Sequence, residues 1–201
     1  VYQAELAAIY HQFRQPVQAI PLFEQSMQHQ DTRMAGTLGL ARVYLQQGKF
    51  REATTLSSQA LALDTQDPAA LTVSGDVYAA MAQPEQAEES YRRALAQNAA
   101  WAPAHVGLGN LQKAAQGWDE AEAAYRQALT IDGRHAAAYY GLAELRRQAG
   151  EIEEAIETYR HSIKLRPGDA QPYQALGLAY LQVADHRAAF SSFQCALDLW
   201  P

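Results

Sequence analysis

The sequence predicts an all-α fold, an α-solenoid made of six tandem helix-turn-helix repeats of 34 residues. The first observation behind this prediction is a row of alanines that recurs every 34 residues without a slip, at Ala19, Ala53, Ala87, Ala121, Ala155 and Ala189. A fixed period of this length is typical of stacked helical units, each of which contacts only its neighbours, rather than of one globular core.

The second observation is that large and small residues alternate in the same register. Thirteen residues before each alanine the chain has Leu6, Leu40, Ser74, Leu108, Leu142 and Leu176, and each of these precedes an alanine or a glycine. Four residues after each alanine it has Phe23, Ser57, Tyr91, Tyr125, Tyr159 and Phe193. Because helices approach closely only where a side chain is nearly absent, this pattern predicts helix pairs that pack an aromatic beside a small residue.

These positions resemble the tetratricopeptide repeat family, and the best match lies between Tyr139 and Pro167. The resemblance covers essentially the whole chain and implies a right-handed superhelix formed by one array over residues 1–201. Its six repeats are expected at about 1–33, 34–67, 68–101, 102–135, 136–169 and 170–201.

Turn and cap residues support this division. Each repeat is expected to contain a helix A and a helix B, joined by a turn that Gly48, Gly117 or Gly150 marks. Asp67 precedes Pro68 and is predicted to cap the next helix. Pro21 falls inside a predicted helix, so the first repeat should be the most distorted.

Composition argues against several classes of function. The net charge of −6 does not fit a nucleic-acid-binding surface, and no apolar run reaches the ~18 to 20 residues of a membrane span. The six histidines and the single cysteine, Cys195, are not spaced as metal ligands, so we expect neither a metal nor another cofactor. No residue has the base and orienting group that a nucleophile needs, and we expect no catalysis in this segment. A single cysteine cannot form an internal disulfide, so the composition is compatible with either a cytoplasmic or a periplasmic location.

The resemblance implies that helix A residues line a concave groove that binds a peptide or a helix of another protein. Register alone then selects the candidate partner-binding residues, because the positions that repeat serve packing and the variable ones need another explanation. They are Leu38, Arg42, Leu45, Thr72, Asp76, Val106, Asn110, Lys113, Tyr140, Glu144 and Arg147. This surface could hydrogen-bond an extended backbone and seat a few apolar side chains, with Tyr140 as the favoured anchor.

The sequence therefore favours a non-catalytic scaffold that organises a protein partner. One rival is a segment of a larger enzyme or secretion machine that positions a substrate or links domains, because Val1 already lies in a helical pattern and the last repeat lacks a polar cap. The other is self-assembly through this C-terminal end, where Leu178, Leu181, Phe190 and Leu197 leave the surface apolar. We expect that the natural protein continues beyond residue 201 or that this end packs on another copy.

Overall fold

The computed structural model describes residues 2–12 and 16–199, with the backbone alone at 11 and 12. The described residues contain no β-strand, and the all-α prediction is confirmed. Their twelve α-helices are α1 (Tyr2–Gln12), α2 (Pro16–Met27), α3 (Arg33–Gln46), α4 (Phe50–Leu63), α5 (Pro68–Ala80), α6 (Pro84–Gln97), α7 (Ala102–Ala114), α8 (Trp118–Ile131), α9 (Ala136–Ala149), α10 (Ile152–Leu165), α11 (Ala170–Gln182) and α12 (His186–Leu199).

Odd-numbered helices are the A helices of the repeats and even-numbered helices are the B helices. Contacts divide the chain into two units, Val1–Gly107 and Leu108–Pro201, with the boundary inside α7. In the first unit, consecutive helices from α1 through α5 pack on the helix that follows, ending with α5 on α6, and α1 and α5 both contact α3. In the second, α8 to α12 follow the same order, and α9 contacts α11. Neighbouring A helices thus touch one another in both units.

The alanine row lies at the centre of this packing. All six alanines have at most 1% of their surface exposed, so a larger side chain at this position would overpack the contact between helices. The aromatics packed nearby are equally enclosed in the middle repeats, where Tyr91, Tyr125 and Tyr159 are at most 2% exposed. The alternation of large and small residues in the sequence is therefore a packing rule.

Glycines make room for the aromatic rings. In the first unit, the ring of Tyr91 lies against Gly75 of its own repeat and Gly107 of the next A helix. In the second unit, Tyr125 lies in the same way against Gly109 and Gly141. A methyl group on any of these glycines would overlap the ring, so each B-helix tyrosine is wedged between two A-helix backbones.

The turn between helices A and B has a left-handed residue at the same place in five repeats. These residues are Gly48, Ala82, Gln116, Gly150 and Ala184, and their φ angles lie between 57° and 84°. Gly117 lies in the turn that it was expected to mark, with φ −80° just before α8, and the left-handed residue beside it is Gln116. The repeat geometry sets this conformation even where a side chain makes it unfavourable.

One prediction about a helix end is confirmed, and a proline inside a helix is accommodated. Asp67 caps α5 as expected, because its carboxylate accepts a hydrogen bond of 2.7 Å from the backbone N–H of Ala70. Pro21 lies inside α2, yet the helix continues through it from Pro16 to Met27. The loss of one backbone donor does not end this helix.

Replacing the wedge glycine Gly141 with alanine should destabilise the second unit. The added methyl group would overlap the Tyr125 ring, and overpacking of this kind costs about 1–3 kcal/mol of unfolding free energy. Gly133→Ala is the matched control, because its methyl group would meet nothing closer than 3.7 Å. Urea unfolding followed by circular dichroism measures both variants, and equal stability of Gly141→Ala and the parent chain would contradict the wedge.

Candidate functional site

The eleven candidate residues differ greatly in accessibility. Leu38, Thr72 and Val106 are only 5%, 2% and 6% exposed, so they offer almost no surface to a partner. Packing already accounts for these three side chains, and their role in a groove stays a prediction. The other eight candidates are partly or fully accessible: Arg42, Leu45, Asp76, Asn110, Lys113, Tyr140, Glu144 and Arg147.

Thr72 has a structural partner that the sequence did not reveal. Its hydroxyl donates to the backbone oxygen of Pro68 at 2.7 Å and accepts a hydrogen bond of 2.9 Å from the indole N–H of Trp101. The two residues are 29 positions apart and follow no repeat rule, so no pattern in the sequence indicates the pair. This hydroxyl is engaged on both sides inside the first unit.

Three of the accessible polar candidates accept hydrogen bonds from the wedged tyrosines. In the first unit, the hydroxyl of Tyr91 donates to Asp76 Oδ1 at 2.7 Å. In the second unit, Tyr125 donates to Asn110 Oδ1 at 2.7 Å, and Tyr159 donates to Glu144 Oε1. In each pair the acceptor lies on helix A and the tyrosine lies fifteen residues later on helix B.

This fifteen-residue relation accounts for the variation among these A-helix residues, which the sequence analysis attributed to binding of a partner protein. Where the later position is a tyrosine, the earlier one is Asp76, Asn110 or Glu144. Where the later position is phenylalanine, which has no hydroxyl, the earlier one is apolar: Ala8 pairs with Phe23 and Leu178 with Phe193. Buried hydroxyls require partners, so the framework itself selects the polar residues of this row.

Asp76 is electrostatically unusual. Its carboxyl is partly buried, and burial raises its pKa from 3.8 to about 6, although the Tyr91 hydrogen bond and the nearby Arg42 charge both act to lower it. Burial, with the charge of Asp76 beside it, also raises the pKa of Tyr91. The pair therefore has a proton that the folded chain binds more tightly than the unfolded chain does.

The second unit brings four candidates together on α7 and α9, and we call Lys113, Tyr140, Glu144 and Arg147 the Tyr140 cluster. Lys113 Nζ lies 5.8 Å from the centre of the Tyr140 ring, within cation–π range. Arg147 Nη2 lies 3.3 Å from Glu144 Oε2. The Tyr140 ring is tilted against that of the buried Tyr159, with centres 6.0 Å apart. The cluster is thus anchored to the packed framework.

Burial shifts the acid–base behaviour of this cluster. It lowers the pKa of Lys113, and Arg147 lowers it further, while Glu144 acts in the opposite direction. It raises the pKa of Tyr140 to about 12, with the charges of Glu144 and Asp169 adding to the effect and Arg147 opposing it. Tyr140 therefore carries a neutral hydroxyl at physiological pH, which can donate and accept hydrogen bonds.

A metal-binding group and a membrane-spanning helix are both absent from the described part of the chain. Residues 2–12 and 16–199 contain no group of three or more histidine, cysteine, aspartate or glutamate side chains that could hold a metal ion. None of the twelve described helices combines the length and apolar character needed to cross a membrane.

Family models described as tetratricopeptide repeat match most of the sequence. One model matches residues 10–74 and 44–111, and a second matches residues 106–170. Together they cover residues 10–170, which include the second to fifth expected repeats in full. No significantly similar sequence was found among curated proteins.

Solved structures resemble the chain over most of its length. MamA is 27% identical, with a TM-score of 0.55 over 80% of this chain and 94% of that one. TTC0263, described as a thermophilic TPR protein in Thermus thermophilus, is 22% identical, with a TM-score of 0.76 over 90% of this chain and 98% of that one. PilF of Pseudomonas aeruginosa is 19% identical, with a TM-score of 0.65 over 85% and 78%. At their low identity, the last two show the fold alone.

Asp76→Asn should remove a pH dependence from the stability of the chain. The folded-state pKa of Asp76 lies above its unfolded value, so its contribution to stability falls as pH rises from about 4 to about 6. Asparagine still accepts the Tyr91 hydrogen bond without a buried charge. We expect the variant to be more stable than the parent above pH 6, by on the order of 1 kcal/mol, with the difference shrinking toward pH 4.

Urea unfolding at a series of pH values measures this difference. The exposed Glu153→Gln is the matched control for the loss of one carboxylate. Parallel profiles for Asp76→Asn and the parent would show that Asp76 does not titrate differently on folding.

Proposed function

We propose that this chain, which belongs to the tetratricopeptide repeat family, is a non-catalytic scaffold that binds a peptide or a helical segment of a partner protein along its A helices. The family's fold supports a protein-interaction scaffold in general. The finer assignment, to the A-helix surface, rests on the side chains found there.

The Tyr140 cluster is the observation that carries this proposal. It combines an aromatic ring, a phenolic hydroxyl and two cations on partly exposed positions of α7 and α9. Aromatic residues and arginine dominate the energetics of protein interfaces, because they offer large contact areas and hydrogen bonds together. Rings fixed by packing also lose little conformational freedom on binding.

The first unit offers a smaller accessible surface of the same kind. Arg42, Leu45 and Asp76 lie on α3 and α5 and are partly exposed. Asp76 accepts the hydrogen bond of the Tyr91 hydroxyl, and the positive charge of Arg42 acts to lower the pKa of Asp76. Each unit thus presents polar groups held in place by the framework, which suits recognition more than it suits chemistry. We propose further that the scaffold works within a larger protein or assembly, with substrate positioning for an enzyme or an export machine as the rival use.

Self-association is a second candidate function, supported by an apolar surface on the second unit. Leu178, Leu181, Phe190 and Leu197 of α11 and α12 are 44%, 45%, 69% and 71% exposed. No residue of α11 is charged, so a second copy that docks there through the same face would bring no like charges from α11 together. Exposed apolar patches of this kind often mark interaction sites.

A photo-crosslinking residue in place of Tyr140 tests the A-helix surface. We expect it to join the chain to a discrete partner in extracts of the native source, because the proposed segment would lie on the ring. A crosslinker in place of Arg92 is the matched control, since that side chain is 72% exposed on a B helix and pairs with Glu88. Equal crosslinking at both positions, with helicity retained, would remove the assignment to the A helices.

The double variant Phe190→Ser with Leu197→Ser tests self-association. Both side chains are largely exposed, so the monomer should stay folded while any dimer weakens. Analytical ultracentrifugation over a range of concentrations should show a parent chain whose mass rises with concentration and a variant that stays monomeric. A parent that is monomeric at every concentration would eliminate this candidate.

A further inference from the structure

A B helix packs on the A helix that follows it, as α2 does on α3 and α10 does on α11. Eight residues after the repeated alanine, the B helices of the first five repeats have a half-buried apolar residue: Met27, Leu61, Leu95, Leu129 and Ile163. Met27 shows what covers this row, because it lies against Gly36 of α3. The equivalent residue of α12 is Leu197, which is 71% exposed. Leu197 is therefore open to solvent where the five equivalent residues are covered.

The ring of Phe193 is wedged on one side. It lies against Gly177 of its own repeat, but no described A helix follows α12 to cover its other side. The equivalent ring of Tyr125 also lies against Gly141 of the next A helix and is 0% exposed, whereas Phe193 is half-buried. Among the described residues, the wedge around Phe193 thus has only one of its two A-helix backbones.

Phe190 adds a second ring to this surface. It is 69% exposed, whereas Ile156, its equivalent in the previous repeat, is 7% exposed. We call Phe190, Phe193 and Leu197 the α12 face. All three occupy positions that an A helix covers in an earlier repeat, so the internal repeats show what kind of element fits this face.

The A helices that follow a ring share a packing requirement. The position that faces the ring holds a glycine or an alanine in each of them: Gly39, Gly107, Gly141 and Ala175. The position three residues earlier is also compact: Gly36, Ala104, Ala138 and Pro172. Where the ring is replaced by Ser57, the facing residue is the larger Val73. A helix that covers Phe193 in the same way therefore needs a small residue over the ring.

A second copy of the chain does not offer such a helix at its N-terminal end. In α1 the two positions hold Tyr2 and Glu5, and both side chains are exposed. Glu5 over the Phe193 ring would overlap it and bury a carboxylate beside an apolar surface. In the later A helices of a second copy, this side is buried in the copy's own packing. Head-to-tail stacking of copies in the manner of the repeats is therefore disfavoured.

We propose that the α12 face binds an amphipathic helix of another protein whose apolar side carries two small residues three positions apart. The helix takes the place that an A helix has between repeats, with the second small residue over the Phe193 ring and apolar side chains against Phe190 and Leu197. This surface is separate from the A-helix surface of the proposed function, and the inference goes beyond it. A second copy that docks through its own apolar face is the rival occupant.

The sequence of α9 provides a probe for this site. A synthetic peptide of residues 136–149, acetylated and amidated, contains the small pair Ala138 and Gly141. The matched control peptide has leucine in place of this glycine and carries the same charge. Because leucine favours a helix more than glycine does, weaker binding of the control peptide cannot come from a loss of helix.

The phenylalanine rings report where the peptide binds. The chain contains five phenylalanines, and ¹³C labelling of their rings gives correspondingly few signals. Phe190→Ser and Phe193→Tyr assign the two signals of the α12 face. We expect both to shift saturably with the α9 peptide, while those of Phe23 and Phe50 stay in place. Phe50 is a suitable internal control because it is also on a B helix and is 38% exposed.

The strength of binding then tests the packing requirement. The leucine peptide should bind about tenfold more weakly than the α9 peptide, because its side chain would overpack the Phe193 ring. Phe190→Ser with Leu197→Ser should weaken binding of the α9 peptide at least about tenfold through the loss of apolar contact. Leu63→Ser is the control variant and should bind as the parent does, since this 46% exposed leucine lies on α4.

Three results would overturn the inference. Signals of Phe190 and Phe193 that the α9 peptide leaves in place would remove the docking site. Equal affinity of the two peptides would remove the requirement for small residues. A parent chain that dimerises through this face, and a double variant that does not, would assign the face to a second copy instead. Crosslinking at Tyr140 decides separately whether the A-helix surface binds a partner.

Discussion

Packing of an aromatic ring between two A helices is the constraint on which the rest of the structure depends. The ring fits because a glycine or alanine faces it on each side, as Gly75 and Gly107 do for Tyr91. Where the ring is missing, the neighbours differ: Ser57 replaces the aromatic in the second repeat, and Val73 stands where the next repeats have Gly107 and Gly141. Volume lost at one position is thus regained at another, as close packing requires.

The tyrosine hydroxyl links this packing to the surface. A wedged phenylalanine needs only apolar neighbours, whereas a wedged tyrosine needs an acceptor where its hydroxyl emerges. Asp76, Asn110 and Glu144 supply that acceptor from the adjacent A helix. Their different charges then give each repeat its own electrostatic character, although the hydrogen bond is the same. A packing requirement therefore fixes where polar groups stand, and leaves open which charge they carry.

Much of this could be predicted from sequence because it is periodic. The alanine row, the aromatic row and the Asp67 cap all follow from spacing and local chemistry. The burial of Leu38, Thr72 and Val106 was missed, because register locates a position on a helix but does not say how deeply the neighbouring helix covers it. The fifteen-residue pairing is present in the sequence but was not predicted, because it joins a row of helix A to a row of helix B and depends on which of the two carries a hydroxyl. The bond between Trp101 and Thr72 follows no period and leaves no signal.

The hydrogen bond between a wedged tyrosine and its acceptor also explains the charge of the Tyr140 cluster. In the fifth repeat, the acceptor that Tyr159 requires is a glutamate, which also engages Arg147. Glu144 thereby serves the framework and one cation at once. If this acceptor were neutral, as Asn110 is, the cluster would contain the cations Lys113 and Arg147 and no carboxylate. The charge balance of this surface is therefore a consequence of how the framework satisfies one buried hydroxyl.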